Sequence, residues 1–140
     1  MWVDFNQLSL KSRIWVFQCN RVFTSDEQET MDGALKQFIQ KWSTHGIQMY
    51  ASHRIVFNCF VIIAADEEKQ AASGCSIDSF YALFKAFGTQ YNLSFFDRFS
   101  IAHKSNDELV ISNLDEFKKL INNLKDRFCI LSSVVPSLNL

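Results

Sequence analysis

Cys59-Phe60-Val61-Ile62-Ile63-Ala64-Ala65, the charged Asp66-Glu67-Glu68-Lys69 and then Ala71-Ala72-Ser73-Gly74-Cys75-Ser76-Ile77-Asp78-Ser79 form the stretch from which the fold is read. The run is almost wholly apolar, on both faces at period two, so it predicts a central strand. The charged residues mark its solvated exit. Beyond the small polar residues, Ile77, Phe80, Phe84, Phe87 and Tyr91 recur at helical spacing, and the helix they define closes near Asn92. The stretch is therefore strand, loop, helix, and the flanks are read outward from it.

Upstream, Gln48 to Asn58 alternates weakly, with Met49, Ala51, Ile55 and Phe57 on one side. It predicts a strand antiparallel to the central one, joined tightly near Asn58. Before it, Met31, Leu35, Phe38, Ile39 and Trp42 make a helical stripe, and either Thr24 with Glu27 or Ser25 with Gln28 has capping-box spacing at its start. His45-Gly46 is the expected end of this helix. The first strand lies between Arg13 and Phe23, where Ile14-Trp15-Val16-Phe17 is β-branched and aromatic and Trp15, Phe17 and Cys19 share one face.

Downstream, Arg98 to His103 and Glu108 to Ser112 flank the polar turn Lys104-Ser105-Asn106-Asp107, a second hairpin. Asn113 and Glu116 cap a last helix with apolar positions Leu114, Phe117, Leu120, Ile121, Leu124 and Phe128. Residues 129–140, with Val134-Val135-Pro136, read as an extended C-terminal tail. The order is β-α-β-β-α-β-β-α. It predicts one α+β domain over 1–140, an antiparallel sheet with helices on one face, related to the ferredoxin-like sandwich through its first six elements.

Composition narrows the function classes. With 48% apolar residues, 14 Phe, 4 Gly and 1 Pro, the chain has ample material for one core and no flexible linker. Net charge is −1 with scattered Lys and Arg, which leaves no basic footprint for nucleic acid. No apolar run is long enough to span a bilayer, and the first residues lack a signal peptide's pattern, so a cytoplasmic protein is expected. Cys19, Cys59, Cys75 and Cys129 are widely spaced with no CxxC pair, fitting reduced thiols, and no His or Cys pair has metal-ligand register. No cofactor is expected; the Phe stripes are core positions.

Site chemistry concentrates in the Ser73 to Ser79 loop. A helix starting there would point the free N–H groups of Ser73, Gly74, Cys75 and Ser76 at an anion, and the same dipole would favour a Cys75 thiolate. Asp78, read as a carboxylate in the first turn, opposes both by satisfying that dipole and repelling an added anion. A helix cap, with Ser73 or Ser76 capping, Gly74 turning and Cys75 packing, needs no ligand at all. As a nucleophile Cys75 would require His53 or His103 as base, with Asp66, Asp97 or Asp78 to orient it. Arg98, after Phe95-Phe96-Asp97, is a candidate clamp for a carboxylate, and Arg13, Arg21 and Arg54 are candidates for a strand-end cleft.

Trp2-Val3-Asp4-Phe5, Trp15, Arg21, His45-Gly46, Phe96-Asp97-Arg98 and above all Ser73-Gly74-Cys75-Ser76-Ile77-Asp78 resemble a group of small uncharacterised bacterial proteins that often carry the automatic label ABC transporter ATPase. The resemblance spans nearly the whole chain and implies kinship. ATP hydrolysis needs a phosphate-cradling Gly-x-x-x-x-Gly-Lys-Ser/Thr, and no two of Gly33, Gly46, Gly74 and Gly88 have that spacing.

The expected function is thus non-enzymatic binding of a partner protein or small anion near residues 73–79, with Ser73, Gly74, Cys75, Ser76, Asp78 and Arg98 at the site. The alternative is a thiol-dependent enzyme using Cys75. A homodimer through an exposed sheet edge or the Val134-Val135-Pro136 tail is a third expectation.

Overall fold

The computed structural model describes residues 1–123 and 130–131. A short 3-10 turn, η1 (Phe5–Gln7), precedes β1 (Arg13–Gln18) and α1 (Ser25–Lys41). A small hairpin, β2 (Ser43–Thr44) and β3 (Ile47–Gln48), leads into β4 (Tyr50–Val56) and β5 (Phe60–Asp66). Then come α2 (Gly74–Tyr91), β6 (Ser100–Ser105), β7 (Glu108–Asn113), α3 (Leu114–Asn123) and β8 (Ile130–Leu131).

The strand read as central is central. β5 lies between β1 and β4 in an antiparallel sheet, with Val16 opposite Ile62 and Arg54 opposite Ile62 from the other side. Period two then sorts the side chains. Trp15, Phe17, Ala51, His53, Ile55, Val61, Ile63 and Ala65 take one face, while Ile14, Val16, Gln18, Ser52, Arg54, Phe60, Ile62 and Ala64 take the other.

Both long helices cover the first face. Met31, Leu35, Ile39 and Trp42 at the predicted α1 positions join Phe80, Phe84 and Phe87 of α2 in one buried cluster with Phe17, Val61 and Ile63. Phe17 stacks on Phe84 at 3.9 Å, and Phe80 meets Trp15 and Trp42 edge-on at 5.2 and 5.5 Å. The Trp42 indole N–H also donates to the Ser76 carbonyl at 2.8 Å, tying the end of α1 to the start of α2. A buried indole needs such a partner.

Helix starts follow the predicted chemistry. Thr24 and Glu27 form the reciprocal capping box of α1, Asn113 and Glu116 exchange the same pair of bonds at α3, and Asn92 closes α2 in the left-handed conformation. His45-Gly46 does not end α1. The helix stops at Lys41, and His45 and Gly46, both at positive φ, form the two-residue turn of the β2–β3 hairpin.

The α+β expectation holds, but the ferredoxin-like topology is not confirmed. The order β1-β5-β4, all antiparallel, supplies three strands of that sandwich, whose fourth would pair with β1. Instead β6 lies in a separate sheet of order β7-β6-β8. A positive-φ Asn106-Asp107 turn joins β6 and β7 and keeps β6 engaged with its sequence neighbour. The two sheets meet through a small cluster of Cys59, Phe60 and Ala102, and through the Gln18 amide, which donates to the Ser100 carbonyl at 2.9 Å. The fold is therefore α+β with three helices and several small antiparallel sheets. Leu124, Phe128, Cys129 and the Val134-Val135-Pro136 tail lie outside the described residues. Among the described residues no helix is long and apolar enough to cross a membrane, and no group of His, Cys, Asp or Glu is arranged to hold a metal ion.

Candidate functional site

The loop read as a site begins as a helix cap. Ser73 accepts the Ser76 N–H at 3.2 Å, and the Ser76 hydroxyl returns a bond to the Ser73 carbonyl at 2.8 Å. The Ser73 N–H donates to the Thr44 hydroxyl and the Ile77 N–H to the Ser73 carbonyl, so of the four amides considered for an anion only those of Gly74 and Cys75 are left. Gly74 does not turn the chain: it is the first helical residue, and a Cβ on it would meet nothing within 4 Å. Contrary to expectation Asp78 is not in the first turn: the helix begins at Gly74, which puts Asp78 beyond it, and the first turn holds no acid.

Cys75 is exposed rather than packed, and among the described residues it makes no hydrogen bond to an imidazole. His53 and His103 are both buried. The ring of His53 is engaged at both nitrogens, by the Trp2 indole N–H at 3.2 Å and by Asp32 at 2.8 Å. His103 holds the Ser112 hydroxyl at 2.9 Å in the other sheet, and burial pushes its pKa down. Asp66 and Asp97 accept bonds from their own following turns. The other two described thiols, Cys19 and Cys59, are buried beside one another; burial raises both, Cys59 to about 12 with Cys19 adding to the effect.

The arginines separate. Arg21 grips Glu27 with two bonds of 2.8 and 2.7 Å and the Tyr91 carbonyl with a third, joining the start of α1 to the end of α2. Arg54 lies over Phe5 on the other face of the sheet, and Arg13 lies over Trp15 within 3.6 Å of Glu67. Arg98 stands exposed in the turn before β6.

What the structure does bring together is a strip along β1. At one end Glu67 bridges Arg13 and the Ala72 N–H, which places the start of the 73–79 loop beside the first residue of the strand. At the other end Gln18 reaches Ser100, two residues past Arg98. Between them, Phe17 meets Tyr81 at 5.3 Å and Phe96 at 6.3 Å, and Tyr81 stacks on Phe96. Phe96 also borders a shallow hollow of about 390 Å³ that Lys85, Gly88, Thr89 and Ser94 line.

Among the described residues the β1 backbone itself is open along this strip. The Cys19 N–H donates toward β5, to the Cys59 carbonyl, whereas the Asn20 N–H points the opposite way, to the Ser94 carbonyl. Alternation then directs the amides and carbonyls of Ile14, Val16 and Gln18 away from the sheet. Among the described residues no strand pairs with that side of β1. Apolar surface flanks it on both faces, Ile14 (55% exposed) and Val16 (43%) behind, Phe96 (41%) and Tyr81 (37%) in front. The opposite edge of the sheet is covered, because Met1 to Val3 cross β4 at Ala51 with bonds of 3.0 and 3.1 Å.

Sequence reasoning expected an exposed sheet edge without identifying the strand that supplies it. Its signal is present, since Ile14 and Val16 are apolar at the parity opposite to Trp15 and Phe17, but only the pairing shows that no described element buries them. The Trp2-His53-Asp32 array left no signal, its members being scattered along the chain. Comparison of the chain with family models, with curated proteins and with solved structures finds no match, so the geometry alone bears the functional reading.

Proposed function

We propose that the protein is a binding module that takes an extended segment of a partner protein as an added strand along β1. The observation that carries this is the edge at Ile14, Val16 and Gln18, unpaired among the described residues, with apolar surface on both of its faces. Backbone groups of that kind supply affinity in strand addition, and flanking pockets supply selectivity. Tyr81 and Phe96 offer rings to residues of one parity, Ile14 and Val16 to the other. The Ser73 to Ser79 helix start and Arg98 stand at the two ends of the strip. A protein segment suits this strip better than a small anion, because two of the four loop amides are already bonded, Ser76 in the helix cap and Ser73 to Thr44, and the Glu67 carboxylate holds the Ala72 N–H at the start of the loop.

Peptides selected from a displayed random library against the full chain test the proposal. Binders that alternate apolar and polar residues, and that lose about tenfold or more in affinity on Val16→Pro, are expected, since proline removes one outward donor. Binders indifferent to Val16→Pro and to Ile14→Lys would overturn it.

A further inference from the structure

The second edge of the main sheet shows a different device. The segment Met1 to Val3 covers β4, with the Val3 N–H on the Ala51 carbonyl and the Ala51 N–H on the Met1 carbonyl. Its anchor is Trp2. The indole packs against the core cluster, Lys36 of α1 lies 4.3 Å over its ring, and its N–H donates to His53 Nδ1.

An indole nitrogen is a donor only. His53 Nδ1 must therefore be the acceptor and carry no proton, which leaves Nε2 to donate to Asp32. The imidazole is held as one neutral tautomer by the residue that anchors the strap. Protonating Nδ1 would set N–H against N–H, and the contact with Trp2 would be lost.

We propose that Met1 to Val3 form a proton-released cover over the β4 edge, with Trp2-His53 as its latch. The charged groups on this side of the sheet are Asp32 and Lys36 of α1 and the Met1 ammonium, which donates to the Met49 carbonyl at 2.6 Å. β5 presents uncharged Ile63 opposite His53. η1 meets β4 where Arg54, on the other face, is held by Asn6 and Phe5. Asp32 favours the imidazolium, Lys36 and Met1 oppose it, and the Trp2 donor bond exists only with the neutral ring. The cover is therefore closed while Nδ1 carries no proton and lifts when Nδ1 is protonated. Lifting it frees the backbone groups of Ala51 for another strand, at the edge opposite to β1.

Amide hydrogen exchange on the full chain, corrected for intrinsic rate, tests the latch. Protection at Val3 and Ala51 is expected to fall at least about tenfold between mildly alkaline and mildly acid pH, while Cys19, bonded to Cys59 in the same sheet, keeps its protection. His53→Asn retains an acceptor for Trp2 without titrating, and its protection should be independent of pH. Unchanged protection at Val3 and Ala51 in the wild type, or the same loss in His53→Asn, would overturn the proposal. Should His53→Asn not fold, the wild-type imidazole ¹⁵N shifts decide: Nδ1 protonation without loss of protection at Val3 would overturn it equally.

Discussion

At the scale of single residues, Glu27 does more than any other carboxylate among the described residues. It completes the capping box with Thr24 and takes both bonds of the Arg21 fork, and together these hold its carboxyl down at about 2, with the Arg21 hydrogen bonds the larger cause. A carboxyl whose folded value lies below its unfolded one, here 4.5, stabilises the fold above that unfolded value, and the contribution is lost as pH falls through about 2. Glu27→Gln keeps the cap and removes the charge. It should cost about 1 kcal/mol at neutral pH, a modest figure because Arg21 is partly exposed, and the gap to wild type should close in strong acid. Urea unfolding midpoints of the two chains across the acid range check it; a gap that persists would assign Glu27 a purely geometric role. The cap itself was legible, because Thr24 and Glu27 stand at the required spacing. Arg21 was not, because its partner carbonyl at Tyr91 is brought near only by the packing of α2.

Among elements, the β4–β5 hairpin shows what local pattern conveys and what it hides. The strands and their join near Asn58 follow from alternation. The turn conformation does not, since Phe57 and Asn58 both take positive φ, at 52° and 54°, and a bulky aromatic is a poor candidate for that region. Phe57 is 63% exposed, so little packing offsets the strain. Phe57→Asn should raise stability by about 0.5 to 1 kcal/mol, because asparagine tolerates the left-handed region. Thermal unfolding measures it, and a loss of stability would mean that the ring makes contacts worth more than the strain. His45-Gly46 illustrates the same ambiguity. A Gly after a helical stripe signals a helix end as readily as a hairpin turn, and only the β2–β3 pairing distinguishes them.

For the whole molecule, what sequence alone conveyed was the inventory of major elements and the buried stripes; what it left out was the assignment of strands to sheets. Apolar parity says which face of β1 is buried but is silent on whether a fourth strand joins it. The placement of β6 with β7 and β8 leaves that edge unpaired among the described residues, and it also decides where a partner strand would fit. Likewise the helix start at Ser73 to Ser79 was located correctly as a strand-to-helix connection. The strip it belongs to is made by tertiary contacts of Glu67, Phe17, Tyr81 and Phe96, which no local pattern encodes.

The pairing of β1 also carries a consequence in time. β4 meets β5 through a three-residue turn and β6 meets β7 through two residues, whereas β1 reaches β5 only after α1 and both short strands have intervened. Closing the longer loop costs more chain entropy, so the two hairpins should assemble early and β1 dock late. Folding kinetics of Phe17→Leu and Ile63→Val separate the orders. The β1 change should act chiefly on the unfolding rate and the β5 change on both rates, and the reverse pattern would place β1 in the nucleus. Until β1 docks, the unpaired edge of the nascent sheet belongs to β5, its most apolar strand, and that interval is when the chain is most exposed to association with its own copies.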